Sequence, residues 1–166
     1  MTRLAYLISS LTMTFILFLG VISLHDVPSA HARERVAVID FKVAKSKDGK
    51  KVVNDYEADA LTEALRTAIT DLNLYSVMTK ENMYAMLEPG TRLEDCIGKC
   101  EVETGKNLQA RYVLTGEIGK LGGKFDLLIR LFHTESSELL SSKNVSGATV
   151  DDVRTKLSRM VRIIVE

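Results

Sequence analysis

The alternation of hydrophobic and polar positions is clearest from Arg111 to Thr134, RYVLTGEIGKLGGKFDLLIRLFHT, with Gly122-Gly123 at its centre. Two glycines tolerate the positive φ of a two-residue type I′ turn, so the stretch predicts two long strands folded into a hairpin. Pairing Leu121 with Lys124 sets the register. Ile118 then lies across from Leu127, Gly116 from Ile129 and Leu114 from Leu131 on one side, with His133 opposite Tyr112 in the same row. The other side pairs Val113 with Phe132 and Thr115 with Arg130, and leaves Glu117 diagonal to Arg130, within reach of a cross-strand ion pair. A slip of one residue would mix the two sides, so the register is well specified.

Elsewhere the pattern changes period. RERVAVIDF, Arg33 to Phe41, is a short and nearly continuous apolar run rich in β-branched residues, as in a central strand covered on both faces. Asn54 to Leu72 reads as a helix: Asn54 caps it, Glu57 takes the capping-box position, and Leu61, Leu65, Ile69 and Leu72 form its apolar stripe. A short strand follows at Leu74 to Met78. Thr79 then caps a helix over Lys80 to Glu88 whose buried side is Met83, Met86 and Leu87. Pro89-Gly90 ends that helix, and another is expected over about Glu101 to Leu108. After the hairpin come a strand over Leu139 to Val145 and a final helix capped by Thr149 with Asp152. The order βαβααβββα predicts the α/β (α+β) class, a mixed β-sheet with helices packed against it and a long antiparallel hairpin within it.

The first 32 residues differ from the rest. Arg3 is the only charge before Asp26, and Leu4 to Leu24 is apolar apart from Ser and Thr. Ala30 and Ala32 follow this run and the helix-stopping Pro28, the pattern of a secretory signal cleaved after Ala32. The run is also just long enough to span a bilayer, so an uncleaved membrane anchor remains the alternative. No Cys lies near this site, so a lipoprotein route has no support. Residues 1–32 are expected to be a signal peptide and residues 33–166 a single domain, long enough to bury a sizeable core.

Lys+Arg and Asp+Glu both number 22. A nucleic-acid binder normally shows a basic excess, so nucleic acid is not an expected partner. Charge does cluster locally, however. KVAKSKDGKKVVN holds Lys42, Lys45, Lys47, Lys50 and Lys51 around Asp48-Gly49. It reads as a solvated loop with a turn at Asp48-Gly49; the sharper reading is a basic contact surface for an anionic envelope polymer or lipid headgroups.

Candidate chemistry is sparse. Cys96 and Cys100 lie in TRLEDCIGKCEVETGKNLQA, and in an exported protein they read most simply as a small-loop disulfide. Such a short loop would stabilise by only ~2 kcal/mol. Structural zinc wants four ligands, and after residue 32 the chain offers two Cys and His133. A redox pair usually has two residues between its cysteines, where three stand here; two free buried thiols apply if the chain stays in the cytosol. Gly116 to Lys120 lacks the spacing of a phosphate loop and lies inside a strand. His133 reads as a sheet-end structural histidine, and the acids Glu94, Asp95, Glu101 and Glu103 as helix-dipole partners. No residue stands out as catalytic, and no cofactor or metal is expected.

Taken together, RVAVIDF, a helix ending in LNLYSVMTKENMYAML, Cys-x-x-x-Cys-x-x-x-x-Gly and ARYVLTGEIGKLGGKFDLLIRLFHTESSELL resemble a bacterial envelope domain family. Its members include the amino-terminal domain of TolB, the periplasmic domain of the curli secretion lipoprotein, and lipoprotein activators of penicillin-binding proteins. The resemblance covers most of Arg35 to Leu140 and implies a mixed sheet with packed helices. The function expected is a non-catalytic periplasmic binding or assembly module that contacts an envelope protein, with outer-membrane association as an option. The alternatives are an enzyme acting on an envelope polymer, or the same domain tethered to the inner membrane by an uncleaved helix.

Overall fold

Strand β1 (Arg35–Val38) runs parallel both to β3 (Ser76–Val77) on one side and to β4 (Tyr112–Leu121) on the other. The structure, a computed structural model, describes residues 33–93 and 99–165. The expected leader, Glu94, Asp95 and Cys96 lie outside these residues. Sheet order is β3-β1-β4-β5-β6, where β5 is Lys124–His133 and β6 is Glu138–Gly147; the short β2 (Lys42–Val43) also pairs with β4. The helices are α1 (Asp55–Asp71), α2 (Lys80–Met86), α3 (Lys99–Asn107) and α4 (Val150–Val165).

The central position of β1 explains its unbroken apolar run. Val36 and Val38 enter a core with Leu61, Leu65 and Ile69 of α1 and Leu157 and Val161 of α4. Ala37 and Ile39 enter a second core, on the opposite face, with Met83 of α2, Leu108 and Val113. Both faces are therefore dry, as the sequence predicts for this strand.

The hairpin stands in the expected register at every position from Tyr112–His133 to Leu121–Lys124. Gly122 and Gly123 have φ of 56° and 82°, the left-handed values that the turn requires. Both capping boxes form: the Asn54 side chain accepts from Glu57 N while Glu57 bonds back to Asn54 N, and Thr149 and Asp152 exchange the equivalent bonds.

Three details differ from the sequence reading. The lysine-rich segment is not all loop, because Lys42 and Val43 pair with Glu117 and Ile118 of β4. Helix α2 stops at Met86, and Met83 alone of that helix is buried; Met86 is exposed. Strand β6 carries an irregularity opposite Leu131 and Phe132, which leaves Leu140 without a partner in the ladder.

Candidate functional site

The site is seated on a local mismatch in the sheet. Val38 pairs with Leu114 and Lys42 with Glu117, so four steps along β1–β2 match three along β4. The extra residue makes a bulge at Asp40-Phe41, a device that re-aims side chains. Phe41 N leaves the ladder and donates to Thr62 Oγ1 at 3.1 Å, and the Thr62 hydroxyl donates to Ala58 O. The Phe41 ring packs over Gly116, where a Cβ would come within 2.7 Å of it.

Asp40 is turned to the sheet edge, beyond the end of β3, and is 7% exposed. Its carboxylate accepts from Arg66 Nη2 at 2.9 Å and from the Tyr84 hydroxyl at 3.2 Å, and Lys80 Nζ stands 3.0 Å away. Arg66 also donates to Val38 O, while its Nε has no hydrogen-bond partner among the described residues. A buried carboxylate requires such company, since an isolated buried charge is strongly disfavoured. Asp40 thereby ties α1 to α2, helices from opposite faces. Burial acts to lower the pKa of the Lys80 ammonium, but hydrogen bonds and attraction from Asp40 and Asp59 outweigh it and hold the pKa above the ordinary lysine value.

Beside this cluster opens a cleft of about 620 Å³ whose charged lining includes Asp40, Lys42, Lys45, Lys51, Lys80 and Arg92. A second cleft, about 580 Å³, lies between the lysine-rich turn and the hairpin tip, lined by Lys45, Lys47, Lys120, Leu121 and Asp126. The five lysines singled out in the sequence do not act alike. Lys42 is half-buried and 4.0 Å from Glu117, Lys50 is 4.0 Å from Asp48, and Lys51 pairs with Asp55. Lys45 bridges to Lys51 by backbone pairing, and neither Lys45 nor Lys47 has an acidic partner among the described residues. The turn at Asp48-Gly49 is as expected, with Gly49 N bonded to Ser46 O.

A second buried charge overturns one expectation. Glu101 lies in the first turn of α3, where the helix dipole favours an acid, but it is also 1% exposed and accepts from Thr115 Oγ1 at 2.8 Å and Arg130 Nη2 at 3.0 Å. Arg130 is therefore drawn to Glu101, and Glu117 pairs with Lys42 across the β2–β4 ladder instead. The diagonal Glu117–Arg130 pair does not form, because the buried acid has the stronger need of a cation. His133 ends β5 as expected, its Nδ1 3.0 Å from Ser136 Oγ and its ring edge-on to Tyr112. Cys100 opens α3 with Sγ 3.9 Å from Thr104 Oγ1; Cys96 is outside the described residues.

Sequence reasoning passed over Asp40, Arg66, Lys80 and Tyr84. Two signals were present: a carboxylate inside an apolar run, and Thr62 and Arg66 one turn apart beside the Leu61–Leu65–Ile69 stripe. As chemistry, the arrangement offers fixed ammonium and guanidinium groups with carboxylates already engaged by them. It is suited to holding charged groups at a surface.

No protein-family model matches the sequence, and no curated protein does so either. Solved structures do match. The LpoB C-terminal domain from Salmonella enterica is 18% identical with a TM-score of 0.52, covering 74% of this chain and 87% of that one. The LpoB C-terminal domain from Escherichia coli is 19% identical with a TM-score of 0.51, over 73% and 87% of the two chains. Lipoprotein GNA1162 from Neisseria meningitidis is 11% identical with a TM-score of 0.54, over 78% and 94%. The fold is thus the one that the sequence resemblance implied, a mixed sheet with packed helices shared with the LpoB C-terminal domain and lipoprotein GNA1162.

Proposed function

We propose that this chain is a non-catalytic binding or assembly module of the cell envelope that works by contact with a protein partner. The observation that carries the reading is the uncovered part of the sheet. The register places Leu128 and Leu139 on the same face as Phe132, and Leu128, Leu139 and the bulged Leu140 are all exposed. Apolar side chains grouped on an otherwise well-packed domain favour an interaction surface. The fold shared with the LpoB domain and GNA1162, and the resemblance to activators of penicillin-binding proteins, support an envelope role. The buried charges Asp40 and Glu101 are engaged in ion pairs that hold elements together, which leaves them a structural task.

The test is crosslinking in the native cell from photoreactive residues placed at Leu128 and Leu139. A defined envelope protein captured from both positions, and lost in a folded Leu128→Glu/Leu139→Glu variant, supports the reading. Absence of any adduct, or a turnover of envelope polymer by the purified protein, overturns it. Residues 1–32 are proposed to be removed on export, leaving a periplasmic domain that starts at Arg33. Mass spectrometry of the amino terminus tests this, and a retained leader would mean an inner-membrane tether. Cys96 and Cys100 are proposed to be bridged, a reading supported by the lack of a free cysteine among the described residues.

A further inference from the structure

We infer that the basic end of the domain is a docking surface for anionic lipid headgroups, with Leu121 as its apolar anchor. This goes beyond the protein-contact reading and uses a different part of the molecule; it requires only an envelope location. Strands β1, β2 and β4 run in the same direction, so the turn after β2 and the β4–β5 turn emerge at one end of the sheet. The second cleft is where they meet, with Lys45, Lys47 and Val52 on one wall and Lys120 and Leu121 on the other.

The charge around the second cleft is uneven. The five lysines of residues 42–51 are joined by Lys120 and Lys124 of the hairpin, seven cations in all. The acids of the same stretches are Asp48, Asp55, Glu57, Glu117 and Asp126, and the second cleft itself is lined by Lys45, Lys47 and Lys120 against Asp126 alone, a local surplus of positive charge. These acids are already engaged: by Ser46 and Lys50, by Lys51, by the Asn54 cap, by Lys42 and by Ser146. Because the whole chain is neutral, the surplus here is balanced by a deficit elsewhere. A negatively charged surface would therefore orient the domain with this end first.

Charge alone does not separate a membrane from a soluble polyanion, but Leu121 does. It is 78% exposed at the hairpin apex, between Lys120 and Lys124, on a finger whose ladder is complete to the last pair. Lys120 Nζ lies 4.7 Å from the centre of the Phe125 ring, so the cation is held beside further apolar surface. A charged polymer has nothing to receive a leucine. A bilayer has: the side chain enters the acyl boundary while the flanking ammonium groups stay at headgroup depth.

The chain contains no Trp, so Leu121→Trp places a single indole, excitable apart from the five Tyr, at the apex. Protein purified from the envelope fraction of expressing cells is mixed with phosphatidylcholine vesicles, with the same vesicles containing about 30% phosphatidylglycerol, and with soluble polyglutamate. The expected result is a blue shift with the anionic vesicles alone. Serine at Lys45, Lys47, Lys120 and Lys124 is expected to weaken partitioning of the otherwise unchanged chain by roughly fivefold per lysine, with the circular dichroism spectrum retained. Leu121→Ser should weaken it without altering the salt dependence. No shift, or an equal shift on neutral vesicles, overturns the proposal. An equal response to polyglutamate also overturns it and reassigns this end to a soluble polyanion. None of these outcomes bears on crosslinking through Leu128 and Leu139, so the two readings fail separately.

Discussion

Phe41 occupies the space that a side chain at position 116 would need: a Cβ on Gly116 would stand 2.7 Å from Phe41 Cδ1 and 2.8 Å from Cε1. The bulge can seat its aromatic ring on β4 only because that residue is glycine. Gly116→Ala is expected to destabilise the domain by about 1–3 kcal/mol through overpacking. Phe41→Leu in the same background should recover part of the loss, although it is itself destabilising. Urea unfolding of the double-mutant cycle measures this coupling, and simple additivity would show that the two positions do not compete for space.

Glu101 and Arg130 form a buried pair whose members depend on one another. Glu101→Ala strands the guanidinium and is expected to cost about 3–5 kcal/mol, towards the lower end because Arg130 is partly exposed. Glu101→Met with Arg130→Met should be markedly more stable than Glu101→Ala. If the double variant is no better, the loss came from packing of α3 and not from an uncompensated charge.

The Lys80 ammonium binds its proton more tightly in the folded chain than the ordinary value of 10.5 implies. Its contribution to stability is accordingly complete below that pH and is lost as pH rises through the folded-state pKa. Stability should fall on the alkaline side, and less steeply in Lys80→Met. The Tyr112 hydroxyl is also raised, through burial and then its hydrogen bond with Glu34, and acts in the same direction. Comparing Tyr112→Phe, Lys80→Met and the double variant in denaturant melts above pH 9.5 or so separates the two. An alkaline limb unchanged by Lys80→Met would remove Lys80 as its cause.

Replacing Lys45, Lys47, Lys50 and Lys51 by Ser is expected to leave the fold intact. Each is an exposed change costing under about 0.5 kcal/mol, and the Lys51–Asp55 pair lies at the surface, where such pairs contribute little. Thermal unfolding monitored by circular dichroism checks this. A large drop would mean that the short Lys45–Lys51 bridge depends on its side chains.

Protein purified from the periplasm should show no thiol reactive towards alkylation under denaturing, non-reducing conditions. Full labelling of Cys96 and Cys100 would refute their bridge.

What could be read in advance follows from where each instruction resides. The hairpin register was legible because Gly122-Gly123 pins the turn and strict alternation fixes everything behind it. The caps at Asn54 and Thr149 were legible because capping is written within four residues. Strand β2 was not, since a lysine and a valine become a strand only when β4 offers unpaired groups alongside. The Asp40–Arg66 contact joins residues 26 apart, and depends on how α1 is rotated on the sheet. The burial of Glu101 was hidden for the same reason: its place at the helix start is local, but its docking against Thr115 and Arg130 is not.

The neighbours of β1 set a timetable for folding. Val36 must find Tyr112, 76 residues further on, and closing a loop of that length is slow beside the closing of a hairpin. Its other neighbour, Val77 of β3, lies only 41 residues on, so β1 can gain one edge well before the other. Both edges of β1 are thus filled by chain that follows it, and the centre of the sheet closes only when Tyr112 arrives.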